Sequence, residues 1–254
     1  MKYIAIDTST QALSLALIQD EEVVASSTLQ PKRQHGELLV PAVAGLMEQM
    51  NWQVADLAGL IVGVGPGSYT GLRIGATFVK TWAVAKQLPV YPVSSLGLMA
   101  SGTDKGKATL IIPVMDARRH SAYTGVYQWN GLNQKLEPVI EDAHVEWREW
   151  LETTIAPLQS EAGRVVLVGD KIEEFVDSFK ELLPETTIEV MSGWAAVPQA
   201  ERAVHLNWIE IEDATLLTPN YAHATLAERE WATKNNTKIA SDQDNEAFIE
   251  HFKE

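Results

Sequence analysis

Cysteine is absent from this chain of 254 residues, which removes disulfides, thiolate metal ligands and cysteine nucleophiles together. A reducing, cytoplasmic setting is expected. No apolar run reaches eighteen residues, so no membrane-spanning helix is predicted. The first residues, Met1 to Asp7, reach a carboxylate before a signal-length apolar region can form, and no export signal is read. Positive charge is scarce, with 20 Lys and Arg against 34 Asp and Glu and a formal charge of −14. Such a balance repels a polyanion, so any RNA is expected to be held by a more basic partner.

Several catalytic signatures are missing as well. The six histidines, at positions 35, 120, 144, 205, 223 and 251, never fall three to five residues apart, which leaves no local two-histidine metal motif. There is no His-Glu-x-x-His and no Gly-x-Ser-x-Gly elbow. The eight tryptophans are scattered along the chain among acidic residues and are read as packing groups rather than base-stacking platforms. His35, just before a predicted helix, is read as a capping or packing residue.

What the chain has is a concentration of glycine in one block. Gly63-Val64-Gly65-Pro66-Gly67-Ser68-Tyr69-Thr70-Gly71-Leu72-Arg73-Ile74-Gly75 joins an apolar strand to a long helix, and so many backbone-permissive residues imply a close approach by something. A helix N-terminus offers unpaired N–H groups to an anion. Leu72 follows Gly71, so a Walker loop does not fit, and Thr70 follows Gly65-x-Gly67 where a dinucleotide fingerprint needs glycine. Two readings stay open here: a phosphate cradle, or a turn that packs a helix tightly on a strand or a partner.

Apolar alternation predicts strands at residues 3–6, 12–18 and 22–28, forming a meander. A helix is expected over 37–50, with Pro41 tolerable only near its first turn. Strands follow at 60–64 and 90–93, with a helix over about 70–87 so poor in charge that burial on more than one side is expected. The pattern then restarts. Residues 108–115 form a strand, Asp116-Ala117-Arg118-Arg119-His120 a polar turn and 121–127 a returning strand. Strand, aspartate, polar turn and strand thus occur twice, and two similar domains across a cleft would bring Asp7 and Asp116 together. Each aspartate is read either as a holder of hydrated Mg²⁺ on phosphates or as a plain turn former.

The blocks Ile6-Asp7-Thr8-Ser9, Gln34-His35-Gly36-Glu37-Leu38-Leu39-Val40-Pro41, Gly65-Pro66-Gly67-Ser68-Tyr69-Thr70-Gly71-Leu72-Arg73-Ile74-Gly75 and Asp116-Ala117-Arg118-Arg119 resemble the TsaB (YeaZ) family. The likeness is strongest over residues 1 to about 130. It implies an α/β, actin-like (ASKHA) tandem of two RNase H-like domains, with mixed sheets flanked by helices. The expected divisions are an N-terminal domain at 1–101, a second, reduced domain at 102–231 and a polar, acidic tail at 232–254. The resemblance also implies a role in forming N6-threonylcarbamoyladenosine at position 37 of tRNAs that read codons beginning with A. In that family the catalytic work belongs to a paralogue, TsaD, with the ATPase TsaE as a further partner.

The paralogue carries a metal-binding His-x-x-x-His pair after a similar turn. In register, this chain has Ser95 and Met99, so no metal, cofactor or catalytic residue is expected. A Pro-x-Tyr-x-Arg segment of many members is here Pro219-Asn220-Tyr221-Ala222-His223, which puts the role of that arginine in doubt. The expected partner-facing surface comprises Leu38, Leu39, Val43 and Leu46 on the first helix and Tyr69, Leu72, Ile74 and Phe78 on the second. A candidate vestigial nucleotide or phosphate site comprises Asp7, Thr8, Ser9, Gly65, Gly67, Ser68, Asp116 and Arg118. The reading is a noncatalytic subunit that pairs with TsaD, supports TsaE recruitment, self-associates when alone and meets tRNA only through the complex. A stand-alone ATP-using enzyme of the actin-like superfamily is the alternative, and a peptidase, an old label for relatives, ranks last.

Overall fold

A computed structural model describes residues 1–31, 34–105, 109–159 and 164–222. Its chain order explains the repeat seen in the sequence. Strands β1 (Lys2–Asp7), β2 (Leu13–Gln19) and β3 (Glu22–Leu29) form the expected meander. Helix α1 (His35–Gln49), strand β4 (Leu57–Gly63), helix α2 (Tyr69–Lys86), strand β5 (Val90–Val93) and the short helix α3 (Ser95–Ala100) complete the first half. The second half repeats the meander as β6 (Thr109–Asp116), β7 (Ser121–Trp129) and β8 (Leu136–Glu146). Helix α4 follows over 147–159, with a π-helical turn at Leu151–Ile155. Then come β9 (Arg164–Val168), α5 (Glu173–Leu182) and β10 (Ile188–Met191).

The two sheets have the orders β3-β2-β1-β4-β5 and β10-β9-β6-β7-β8. In each, the first three strands are antiparallel and the last two run parallel to the first. That order and polarity, present twice, is the tandem RNase H-like arrangement of the actin-like class. Residues 1–222 group as one compact unit.

Strand alternation sorts side chains into three apolar layers. Ile4 and Ile6 of β1 face α1 and α2, whereas Ala5 between them faces the opposite layer. Leu110, Ile112 and Val114 of β6 pack on α4 and α5, and Ile111 points back to the layer shared by the sheets and α3. After β10 the chain returns to the first sheet. Ala200 donates its N–H to Ser14 Oγ at 2.8 Å, Ile211 donates to Val90 O at 3.0 Å and Asn220 donates to Val64 O at 2.7 Å.

Two helices differ from expectation. Helix α1 begins at His35, so Pro41 is its seventh residue and lies beyond the first turn, on the exposed face. Helix α2 buries one face, through Leu72, Ala76, Val79 and Ala83, and leaves Tyr69 and Val84 about half exposed. Its low charge therefore reflects apolar outward positions rather than burial on several sides. Among the described residues, no helix is long and apolar enough to cross a membrane.

Candidate functional site

The centre of the first half is the carboxyl end of β1, where Asp7, Thr8 and Ser9 are each about 1% exposed. Asp7 Oδ1 accepts from the Ser9 N–H at 2.9 Å and from Ser9 Oγ at 2.7 Å, and Asp7 Oδ2 accepts from Ser95 Oγ at 2.6 Å. Ser95 Oγ in turn accepts from the Gly65 N–H at 3.1 Å. Burial pushes the Asp7 carboxyl above the usual carboxylate range, opposed by the hydrogen bonds from Ser95 and Ser9.

The glycines surround this turn with backbone. A Cβ on Gly63 would stand 1.9 Å from Asp7 Oδ2, one on Gly71 2.1 Å from Thr8 O and one on Gly75 2.4 Å from Thr8 Oγ1. Gly67 faces Ser9 O in the same way, and Gly65, at φ +110°, faces Asn220 O. Hydrogen bonds join the pieces: the Ser68 N–H donates to Ser9 O at 2.6 Å and Thr8 Oγ1 donates to Gly71 O at 2.8 Å. Ser68 also caps α2, its Oγ accepting from the Gly71 N–H at 3.3 Å. The close approach implied by the glycines is thus made by the chain's own Thr8-Ser9 turn and by its returning segment at Asn220.

Asp116 lies apart from this arrangement in environment. It is exposed, and its Oδ1 accepts from the Arg118 N–H at 2.6 Å, closing a local turn. Arg118, Arg119 and His120 follow with φ of 71°, 53° and 61°. Asp7 and Asp116 hydrogen-bond to different groups, and no bond joins them. His35 is buried, with Nε2 3.2 Å from Ala12 O. Among the described residues, no group of three or more His, Asp or Glu side chains is placed to hold a metal ion.

The expected partner-facing residues divide into two sets. Leu39, Val43, Leu46 and Leu72 are buried in the chain's own core. Leu38, Ile74 and Phe78 are partly buried, and Tyr69 is 47% exposed. Between α1 and α2 an open groove of about 540 Å³ is lined by Leu39, Val40, Tyr69, Ile74 and Phe78, together with Arg73. Val40, 57% exposed, belongs to this surface but does not stand among the residues named from sequence. Its position one residue after the buried Leu39 placed it on the outer face, where sequence pattern alone reads solvent. Arg73 Cζ lies 4.7 Å from the Tyr69 ring centroid, and the Tyr69 and Tyr221 rings are 5.0 Å apart. His223, at the family's arginine position, lies outside the described residues.

A second, partly buried polar cluster joins the halves. Asp142 of β8 accepts from Ser94 Oγ and Tyr127 OH, and the two hydroxyls are 3.0 Å apart. Burial raises the Asp142 carboxyl to about 6, with the two hydroxyl donors acting in the opposite direction. Sequence reading missed this trio because its members come from three separated segments with no shared motif.

Comparison with known proteins turns this geometry into a family assignment. The model of the family "TsaD: tRNA N6-adenosine threonylcarbamoyltransferase" matches residues 22–220. The tRNA threonylcarbamoyladenosine biosynthesis protein TsaB of Bacillus subtilis is 33% identical over 232 residues, covering 91% of this chain and 98% of the relative. The chain belongs to the TsaB family. The Escherichia coli TsaB protein is 32% identical over 208 residues, or 79% of this chain and 83% of that protein. Among solved structures, a Pseudomonas aeruginosa protein described as similar to peptidase YEAZ superposes with a TM-score of 0.72 at 24% identity, covering 87% of this chain and 99% of that one. That likeness carries the fold. As in the TsaB family generally, the role lies in forming the threonylcarbamoyladenosine modification of tRNA.

Proposed function

We propose that this chain is a noncatalytic partner subunit of the threonylcarbamoyladenosine machinery, heterodimerising with TsaD through the α1–α2 groove and supporting TsaE recruitment. One observation carries the reading. The glycine turn that would cradle a phosphate is filled by the chain's own backbone, while an apolar groove on the adjacent helices stands open. Burying such a surface is worth about 25 cal/mol per Å², so association is the chemistry this surface favours. With TsaD absent, a second copy covers an overlapping part of the same surface. The protein works in the cytoplasm and meets tRNA through the complex, because its charge of −14 opposes direct binding. Domain divisions at 1–101 and 102–231 are part of this proposal; each range contains one sheet, and the returning segment at 200–220 packs back on the first, while the expected tail at 232–254 lies outside the described residues.

The test is the mass in solution, by size exclusion with light scattering, of this protein mixed at equal concentration with TsaD from the same organism. A one-to-one complex replacing the self-associated form is expected, and two unchanged peaks would overturn the reading. Val40→Glu, at an exposed groove position, should abolish both associations while leaving the fold intact. Titration with ATP and Mg²⁺ should give no turnover by the isolated chain. Mg²⁺-dependent turnover would favour a stand-alone enzyme instead.

A further inference from the structure

Helix α2 borders two grooves, and the second has a chemistry of its own. Past Val79 the helix ends at Lys86, and Gln87, in the left-handed region at φ 53°, donates its N–H to Ala83 O. The Leu88 N–H donates to the same carbonyl at 3.1 Å. The returning segment runs alongside, held by the bond from the Ile211 N–H to Val90 O at 3.0 Å and by Asp213, whose Oδ1 accepts from the Thr215 N–H at 2.7 Å. Between helix end and segment lies a groove of about 330 Å³. Its apolar surface comes from Val84, Leu88, Pro89, Ile211 and Ala214, and its acidic side from Glu210, Glu212 and Asp213.

Two features set the occupant. Val84 is 51% exposed, and Ile209 and Leu216, at the two ends of the bordering segment, are 77% and 59% exposed. Of these, Val84 lines the groove, and Ile209 and Leu216 flank the lining stretch 210–215 in sequence. Three carboxylates and the negative end of the α2 dipole act on the same space, and among the described residues no lining side chain carries positive charge. Lys86 lies close by in sequence but does not line the groove. A second copy of this chain would bring a charge of −14 against those carboxylates and is disfavoured. We infer that this groove docks a cationic, amphipathic segment of another protein, one or two apolar side chains filling the cleft and Lys or Arg pairing with Glu210 and Glu212.

This second surface is separate from the α1–α2 groove, which uses Tyr69 to Phe78 of the same helix. Ile74 and Gln87 are thirteen residues apart, or roughly 20 Å along the axis at 1.5 Å per residue. One helix thereby offers two chemically different surfaces, whose nearest lining residues, Phe78 and Ala83, are five residues apart.

The experiment uses the full chain and three synthetic twelve-residue probes: alternating arginine and leucine, the same with glutamate for arginine, and the same with serine for leucine. Backbone amide spectra and fluorescence titrations give the site and the affinity. The arginine–leucine probe should bind and shift amides at 83–90 and 210–215, and both other probes should bind at least about tenfold more weakly. Glu212→Lys and Val84→Asp, each at an exposed side chain, should weaken binding about tenfold. Glu185→Lys, which changes net charge equally at an exposed site in the second half, should leave it within about twofold. Equal losses in Glu212→Lys and Glu185→Lys would show attraction to net charge alone and overturn the inference. So would absence of binding, or amide shifts confined to other surfaces.

Discussion

The two halves share strand order and polarity, and both place an aspartate at the carboxyl end of the first strand, yet the two turns have opposite environments. Asp7 is enclosed by Ser9, Ser95 and Gly63, and its neighbour Thr8 by the glycines of α2, whereas Asp116 is exposed and bonded to its own turn. The difference follows from the helix after the fourth strand. In the first half it is α2, eighteen residues long, with Gly71 and Gly75 on its inner face. In the second half it is α5, ten residues long and entered through Lys171 and Ile172. A repeated strand pattern therefore fixes topology, while the residues that let a helix approach determine whether the turn is sealed.

The largest expected effect comes from breaking that seal. Gly71→Ala would gain up to about 1 kcal/mol of helix propensity if the site were open. Its Cβ would instead stand 2.1 Å from Thr8 O, and overpacking against backbone costs about 3 kcal/mol. We expect net destabilisation of about 2 kcal/mol or more in urea unfolding. A neutral or stabilised variant would mean that α2 sits further from β1.

Next, Asp7→Ala and Asp116→Ala sharpen the contrast between the turns. Asp7→Ala leaves the Ser9 N–H and the Ser9 and Ser95 hydroxyls without their shared acceptor, a loss of about 2 kcal/mol after allowing for relief of carboxylate burial. Asp116→Ala removes one exposed turn bond, worth about 0.5 kcal/mol. Equal costs in the two variants would erase the distinction. Asp7→Asn, which keeps one acceptor oxygen, should fall between them.

The first meander, β4, β5 and the restart at β6 and β7 were legible from alternation and from the repeated strand–aspartate–turn–strand pattern, because period two survives in those residues; β8, β9 and β10 and the order of the strands within each sheet were not, since pairing between strands far apart in the chain leaves no local pattern. The glycine block was legible as a close approach. What it approached was not, since Thr8, Ser9 and Asn220 come from distant parts of the chain and carry no pattern that names them as neighbours. Pro41 inside α1 escaped for a related reason. A proline ring on the solvent face of a helix is tolerated by tertiary packing that Leu39, Val43 and Leu46 supply. Asp142, Ser94 and Tyr127 were illegible because three ordinary residues become a site only when the sheets meet.

A smaller effect tests how that trio ties the halves together. Asp142 holds its proton up to about pH 6 in the folded protein and only to about 3.9 when unfolded. Its folded pKa is raised, so the folded state binds more protons in that window and stability falls as pH rises through it. Of the total, about 1 kcal/mol should be lost between pH 5.5 and 8. Asp142→Asn should flatten that part of the profile. An unchanged slope would place the titration elsewhere.

The smallest effect is a gain, and it turns the glycine comparison around. Gly45 lies within α1, and an added Cβ there meets nothing within 4 Å. Gly45→Ala should therefore stabilise the isolated chain by about 0.5 kcal/mol, from helix propensity and reduced freedom of the unfolded chain. The open space also makes it a probe of association, because α1 borders the groove assigned to a partner. A gain in the monomer accompanied by weaker self-association would place Gly45 under the covering copy, and a gain with association unchanged would confine that contact to the end of α1 that carries Leu39 and Val40. Destabilisation would mean that the space beside Gly45 is filled in solution, and the contrast with Gly71 would fail.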